Sequence, residues 1–246
     1  MSVARARPRK RSVPPDPSIV RQIHRRLRRA FGPLDPPRRW EPVDELMLTI
    51  LSQNTSDVNR DRAWASLRER FPTWDALAAA RPAQVAAAIK VGGLSNVKAP
   101  RILDVLREIR AREGGFDLGW MRTASDEEIT EYLTSLPGVG PKTAACVLAF
   151  SLDRPALPVD THVHRVATRL GFMAPGTPAT KAHVLMADAV PPRLRVAMHV
   201  GLIRLGREIC KAGRPRCEIC PLQDVCPTAP LYLKPKRRGA ASRRVS

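Results

Sequence analysis

No stretch of this 246-residue chain approaches the roughly 20 consecutive apolar residues that cross a bilayer. The basic N-terminus also lacks the apolar core of a secretory signal. Both absences lead us to expect a cytoplasmic, nucleoid-associated protein without a membrane partner. No segment of strand length alternates apolar and polar side chains, which argues for an all-α fold. Acidic residues are scarce, 23 against 42 Lys and Arg. Residues 1–11 carry Arg5, Arg7, Arg9, Lys10 and Arg11 with no acid; residues 232–246 carry Lys234, Lys236, Arg237, Arg238, Arg243 and Arg244, again with none. We read 1–17 as a disordered basic arm and 232–246 as a disordered basic tail. Removing those eleven charges from the net +19 still leaves +8 on the body, so a polyanionic partner is the natural inference.

Cysteine is sparse as well, and four of the five lie close together: Cys210, Cys217, Cys220 and Cys226, with six, two and five residues between them. Thiolates that close repel one another unless a metal or cluster gathers them, and disulfides are disfavoured inside a cell. The tetrad suits zinc or an iron–sulfur cluster, and spacing alone leaves both open. Lys211, Arg214 and Arg216 share the loop, so the metal is expected to fold a basic surface rather than to carry electrons. Cys146 sits in an apolar run and reads as a small core residue.

Helical periodicity organises the rest. Ser18 is a candidate cap for a helix with Ile19, Ile23 and Leu27 inside. A second helix from about Pro42 buries Val43, Leu46, Met47, Ile50 and Leu51 and ends in Ser52-Gln53-Asn54-Thr55-Ser56-Asp57. Thr55 or Ser56 then caps a helix whose apolar face is Val58, Trp64, Leu67 and Phe71. Short helices follow Thr73 and Pro82, and Gly92-Gly93 turns the chain. Leu94 stands just beyond that turn, as a core residue or as the kind of exposed wedge that enters unstacked DNA. Pro100 should delay or kink the next helix. Ser125-Asp126-Glu127-Glu128 reads as a capping box. Asp160-Thr161 caps a later helix, and the last two begin after Thr177 and at about Arg193, the latter reaching Cys210.

One stretch joins two of these helices: Leu136-Pro137-Gly138-Val139-Gly140-Pro141-Lys142. Its glycines permit a positive φ and close approach, and Pro141 suits the first position of a helix. The unpaired N–H groups and positive dipole end of that helix suit a phosphate. Lys142 stands in the first turn, where a cation is electrostatically misplaced and the uncharged, nucleophilic amine is favoured. The plainer reading is a simple helix–helix turn with a solvated lysine.

Leu-Pro-Gly-Val-Gly-Pro-Lys, the later Val-Asp-Thr-His at 159–162 and the four-cysteine pattern together resemble the endonuclease III family of helix-hairpin-helix DNA glycosylases, over about residues 18–230. The resemblance implies two helical domains with the DNA cleft and active site between them: a central six-helix domain over 36–154 holding the hairpin motif at about 127–150, and a discontinuous one over 18–35 plus 155–231. It selects a [4Fe–4S] cluster on Cys210, Cys217, Cys220 and Cys226, in the 210–226 loop. It makes Lys142 the nucleophile, Asp160 its carboxylate, and Leu136, Pro137, Gly138, Val139 and Gly140 a backbone phosphate grip. Gln53 or Asn54 fills the gap left by a flipped base, Leu94 intercalates, and His162, after the catalytic strand-like segment, is a further DNA contact. The implied activity is a monomeric, bifunctional glycosylase and AP lyase acting on duplex DNA with damaged bases, oxidised pyrimidines above all, or abasic sites. Monofunctional mismatch glycosylases of the same superfamily lack the lysine. A non-catalytic iron–sulfur DNA-binding protein needs neither Lys142 nor Asp160.

Overall fold

The computed structural model describes residues 16–36 and 39–233; residues 1–15 and 234–246 of the basic arm and tail lie outside them. Eleven α-helices succeed one another among the described residues, with no strand: α1 (Pro17–Phe31), α2 (Pro42–Ser52), α3 (Asp57–Arg70), α4 (Trp74–Ala78), α5 (Pro82–Ala88), α6 (Ser95–Glu113), α7 (Asp126–Ser135), α8 (Pro141–Phe150), α9 (Thr161–Leu170), α10 (Ala179–Ala189) and α11 (Arg195–Glu208). None of them is long and apolar enough to cross a membrane.

Helix starts follow side-chain caps. Ser56, Thr73, Ser125 and Asp160 each accept an N–H from the first turn they head, and Ser125 and Glu128 complete a capping box. Each such cap stabilises its helix by about 1 kcal/mol. The first helix departs from the expected pattern. Its cap is Asp16, whose carboxylate accepts the Ser18 N–H at 2.6 Å, so Ser18 is already inside. Order therefore begins before residue 18, with Pro17 as the first helical residue, where its missing N–H costs nothing. At the other end, Tyr232 and Leu233 are placed: the Arg169 guanidinium lies 5.4 Å from the Tyr232 ring, and Leu233 N–H donates to Ala229.

Three other expectations are corrected. Pro100 does not delay α6, because the Leu94 carbonyl accepts from Val97 and Lys98 and closes the first turn upstream of the proline. The last helix starts at Arg195 and stops at Glu208, since Pro192–Leu194 forms a separate 3-10 turn and the Cys210 N–H turns back to Leu205. Val58 is 62% exposed; α3 packs instead through Ala63 and Leu67. Ala63 lies so close to Gly92 that a Cβ there would be 3.0 Å from its own.

Buried apolar side chains fall into two clusters. One runs from Val43 to Leu148 and is built by α2–α8, seven helices rather than six. The other joins Val20, Ile23, Leu27 and Leu34 to residues from Leu157 to Leu222. The chain thus leaves the second core after α1, builds the first, and returns through the Pro155–Val159 segment.

Candidate active site

The Leu136–Gly140 hairpin links α7 to α8. Leu136 and Val139 are buried in the first core, and the Val139 N–H is already given to the Leu136 carbonyl at 3.1 Å. Pro137 has no N–H. Among the described residues this leaves Gly138 and Gly140 as the hairpin's unspent donors, and Gly138 takes the left-handed φ of 69° that its lack of a Cβ allows. Pro141 opens α8, so its first turn presents N–H groups with no helical partner.

Lys142 follows, half-buried at the seam between the two cores. Its charge is felt by Glu45 on α2, by Cys146 one turn further along α8, and by His183 and His199 from the second core. Glu45 is 5% exposed and accepts the Thr49 hydroxyl at 3.0 Å. Burial raises its carboxyl to about 7, although the Thr49 bond and Lys142 pull it down. His199 Nδ1 lies 2.7 Å from the Pro158 carbonyl, which only accepts, so that nitrogen carries the proton. Burial drives this imidazole down to about 4 against the pull of Asp160.

Asp160 heads α9 and holds it by accepting the Val163 N–H at 2.7 Å through Oδ1. His199 is therefore within electrostatic reach of both Lys142 and Asp160. His162 is the second residue of α9, its Nδ1 3.1 Å from Arg165, and burial lowers its imidazole.

The two candidate DNA loops lie on the first core. Gln53 is half-buried and its amide oxygen accepts from Arg101 at 2.8 Å, whereas Asn54 is exposed at a left-handed φ of 53°. Leu94 is 52% exposed, also left-handed, at 51°. Sequence reasoning passed over Glu45, Lys98, Arg101 and His199. The signal for Lys98 was present: it precedes Ile102 by one turn and so occupies an apolar-face position.

Cys210, Cys217, Cys220 and Cys226 line one small cavity that is partly open to solvent. Among the described residues no three His, Cys, Asp or Glu side chains are set to share a single metal ion, and these four ring a space instead of meeting at a point. Such an arrangement fits a polynuclear cluster. Arg169 donates to Cys210 Sγ at 3.1 Å and to the carbonyls of Lys211 and Ala212, and Arg165 donates to the Cys210 carbonyl. These contacts supply positive charge beside the thiolates and dock the loop on α9.

Comparison with known proteins agrees with this geometry. The family model for HhH-GPD superfamily base excision DNA repair proteins matches residues 47–192, and that for the iron–sulfur binding domain of endonuclease III matches residues 210–226. Endonuclease III of Thermotoga maritima is 36% identical over 208 residues, covering 85% of this chain and 90% of its own. A putative DNA glycosylase of Arabidopsis thaliana is 34% identical over 194 residues, covering 77% of this chain and 66% of its own. A solved structure, a trapped endonuclease III–DNA covalent intermediate, superposes with a TM-score of 0.76 at 25% identity, over 88% of this chain and 98% of that one. The iron–sulfur domain match indicates a [4Fe–4S] cluster within residues 210–226, and the fold is of the endonuclease III type.

Proposed function

Because the chain belongs to the HhH-GPD superfamily of base excision DNA repair proteins, we propose that it is a bifunctional DNA glycosylase and AP lyase for oxidised pyrimidines, with Lys142 as nucleophile. The observation that carries this reading is the seam site, where the charges of an amine from α8 and of a carboxylate heading α9 both act on the buried His199. An amine is needed only if the enzyme forms a covalent sugar adduct.

The target nucleotide leaves the stack, since its C1′ is out of reach inside the duplex. Lys142 Nζ bonds to C1′ as the C1′–N bond breaks and the base departs with the electron pair and a proton. Asp160 accepts the proton lost by the amine and balances charge on the opening sugar. Asp160 returns that proton to O4′ as the C1′–O4′ bond breaks, opening the sugar to a protonated Schiff base that withdraws electrons from C2′; loss of a C2′ proton to water then breaks the C3′–O bond and releases the 3′ strand with its 5′-phosphate. Gly138 and Gly140 N–H groups hold a backbone phosphate. Asn54, whose amide is free where that of Gln53 is occupied, fills the vacated position, and Leu94 enters the stack. When bound, the iron–sulfur cluster ties the basic 210–226 loop into a DNA-facing surface.

Borohydride should trap a covalent adduct with duplex DNA containing an oxidised pyrimidine, and Lys142→Ala should abolish it. Base release without a trappable adduct would assign the chain to the monofunctional glycosylases.

A further inference from the structure

Asn54 and Leu94 are the loop tips assigned above to the vacated base position and to the stack, and both hold left-handed backbone that side-chain-bearing residues disfavour. Such conformations persist only where the surroundings fix them. Behind both loops lies Lys98. Its side chain is 2% exposed, and its ammonium donates to the Leu51 carbonyl at 2.7 Å and to the Gly92 carbonyl at 2.9 Å. Leu51 stands just before one loop and Gly92 just before the other, so a single ammonium fastens the roots of both.

Packing alone does not call for this group. Burial pushes the Lys98 amine below the ordinary lysine range, and the groups it donates to are two neutral carbonyls. An apolar side chain of similar volume fills such a space without the desolvation cost. What the ammonium adds is direction, because its donors diverge toward two separate chain segments. One turn further along α6, Arg101 donates to Gln53 at 2.8 Å and packs against Gly138, where an added Cβ would come within 2.6 Å of Nε. The same helix therefore reaches the hairpin.

We propose that α6 is a brace, in which Lys98 and Arg101 lock the Leu94 wedge, the Asn54 loop and the phosphate hairpin into one rigid head for extruding the target nucleotide. This inference rests on the lyase reading above. Both residues are positioning residues: they act on extrusion and touch none of the reacting atoms. A pre-ordered head has no loop entropy to lose on meeting DNA. An abasic sugar in single-stranded DNA needs no extrusion, so the brace should be irrelevant there.

Borohydride trapping of an abasic site, in duplex and in single strand, separates these roles in the full-length holoprotein. For Lys98→Met the duplex rate should fall about tenfold, while the single-strand rate stays within about twofold of wild type. Arg101→Ala, at a half-buried position that leaves the core intact, should show the same asymmetry more weakly and keeps the proposal testable if Lys98→Met does not fold. A 2-aminopurine placed opposite the abasic site should brighten more slowly with both variants, and cluster absorbance should be retained. Equal losses on both substrates would reduce α6 to a structural element and overturn the brace; so would unchanged rates on both. Failure of the wild-type protein to trap either substrate would instead bring down the lyase reading, and the brace with it.

Discussion

A glutamate ordinarily gives up its proton near 4.5, yet Glu45 holds it to about 7 because burial outweighs the pull of Thr49 and Lys142. His199 is displaced the other way, down to about 4, because burial outweighs the Pro158 carbonyl and Asp160. Their effects on stability have opposite signs. The unfolded chain protonates His199 near 6.5 and the folded chain only near 4, so its contribution falls away as pH drops through that window. For Glu45 the folded chain holds the proton more tightly, so its contribution is complete below 4.5 and is lost as pH rises towards 7. Each shift corresponds to roughly 3 kcal/mol, and where the two windows overlap their opposite slopes largely cancel. Glu45→Gln should remove the opposing carboxyl and leave His199 as the largest contributor beside the other lowered histidines: stability measured by urea unfolding is expected to fall by at least about 2 kcal/mol from about pH 7 to about pH 5. A flat profile in that variant would mean that His199 titrates like an exposed imidazole.

At the scale of elements, the hairpin depends on Gly138. A side chain there meets a left-handed φ and collides with the Arg101 guanidinium. Gly138→Ala should cost about 1–2 kcal/mol, lowering Tm by about 2–8 °C, but should weaken binding to duplex DNA about tenfold because the displaced turn misdirects its two donors. Equal affinity for the variant, by fluorescence anisotropy at fixed salt, would remove the hairpin from the DNA grip. The same elements show what a sequence makes legible. Ser56, Thr73, Ser125 and Asp160 were readable as caps because a cap bonds within its own first turn, and Lys142 because the proline and glycines before it fix where α8 begins. Lys98 and Glu45 were not. The Leu51 carbonyl that holds Lys98 is 47 residues away, and the burial that governs Glu45 is set by the packing of α8 on α2. The choice between Gln53 and Asn54 likewise rested on Arg101, 48 residues from Gln53.

The whole molecule is two cores with few fixed ties. One is ionic: Arg207 of α11 forms a fork with Asp57, the first residue of α3, and this pairing keeps the Asp57 carboxyl low against the burial that raises it. Another is covalent, where the chain passes from Leu152 to Val159. The cluster loop belongs wholly to the second core. It is held to α9 by Arg165 and Arg169, and the Thr228 hydroxyl donates to the Arg169 carbonyl at 2.6 Å. Metal binding at such a site is folding energy for the segment that carries the ligands. Removing the iron should therefore act on one core and spare the other. Hydrogen exchange after oxidative removal of the cluster is expected to rise across residues 210–233 and in α9 and the end of α11, while amides of α2, α6 and α8 remain protected. Loss of protection in all of these helices together would show that the cores fold as one unit and that the cluster stabilises the DNA-contacting half as much as its own.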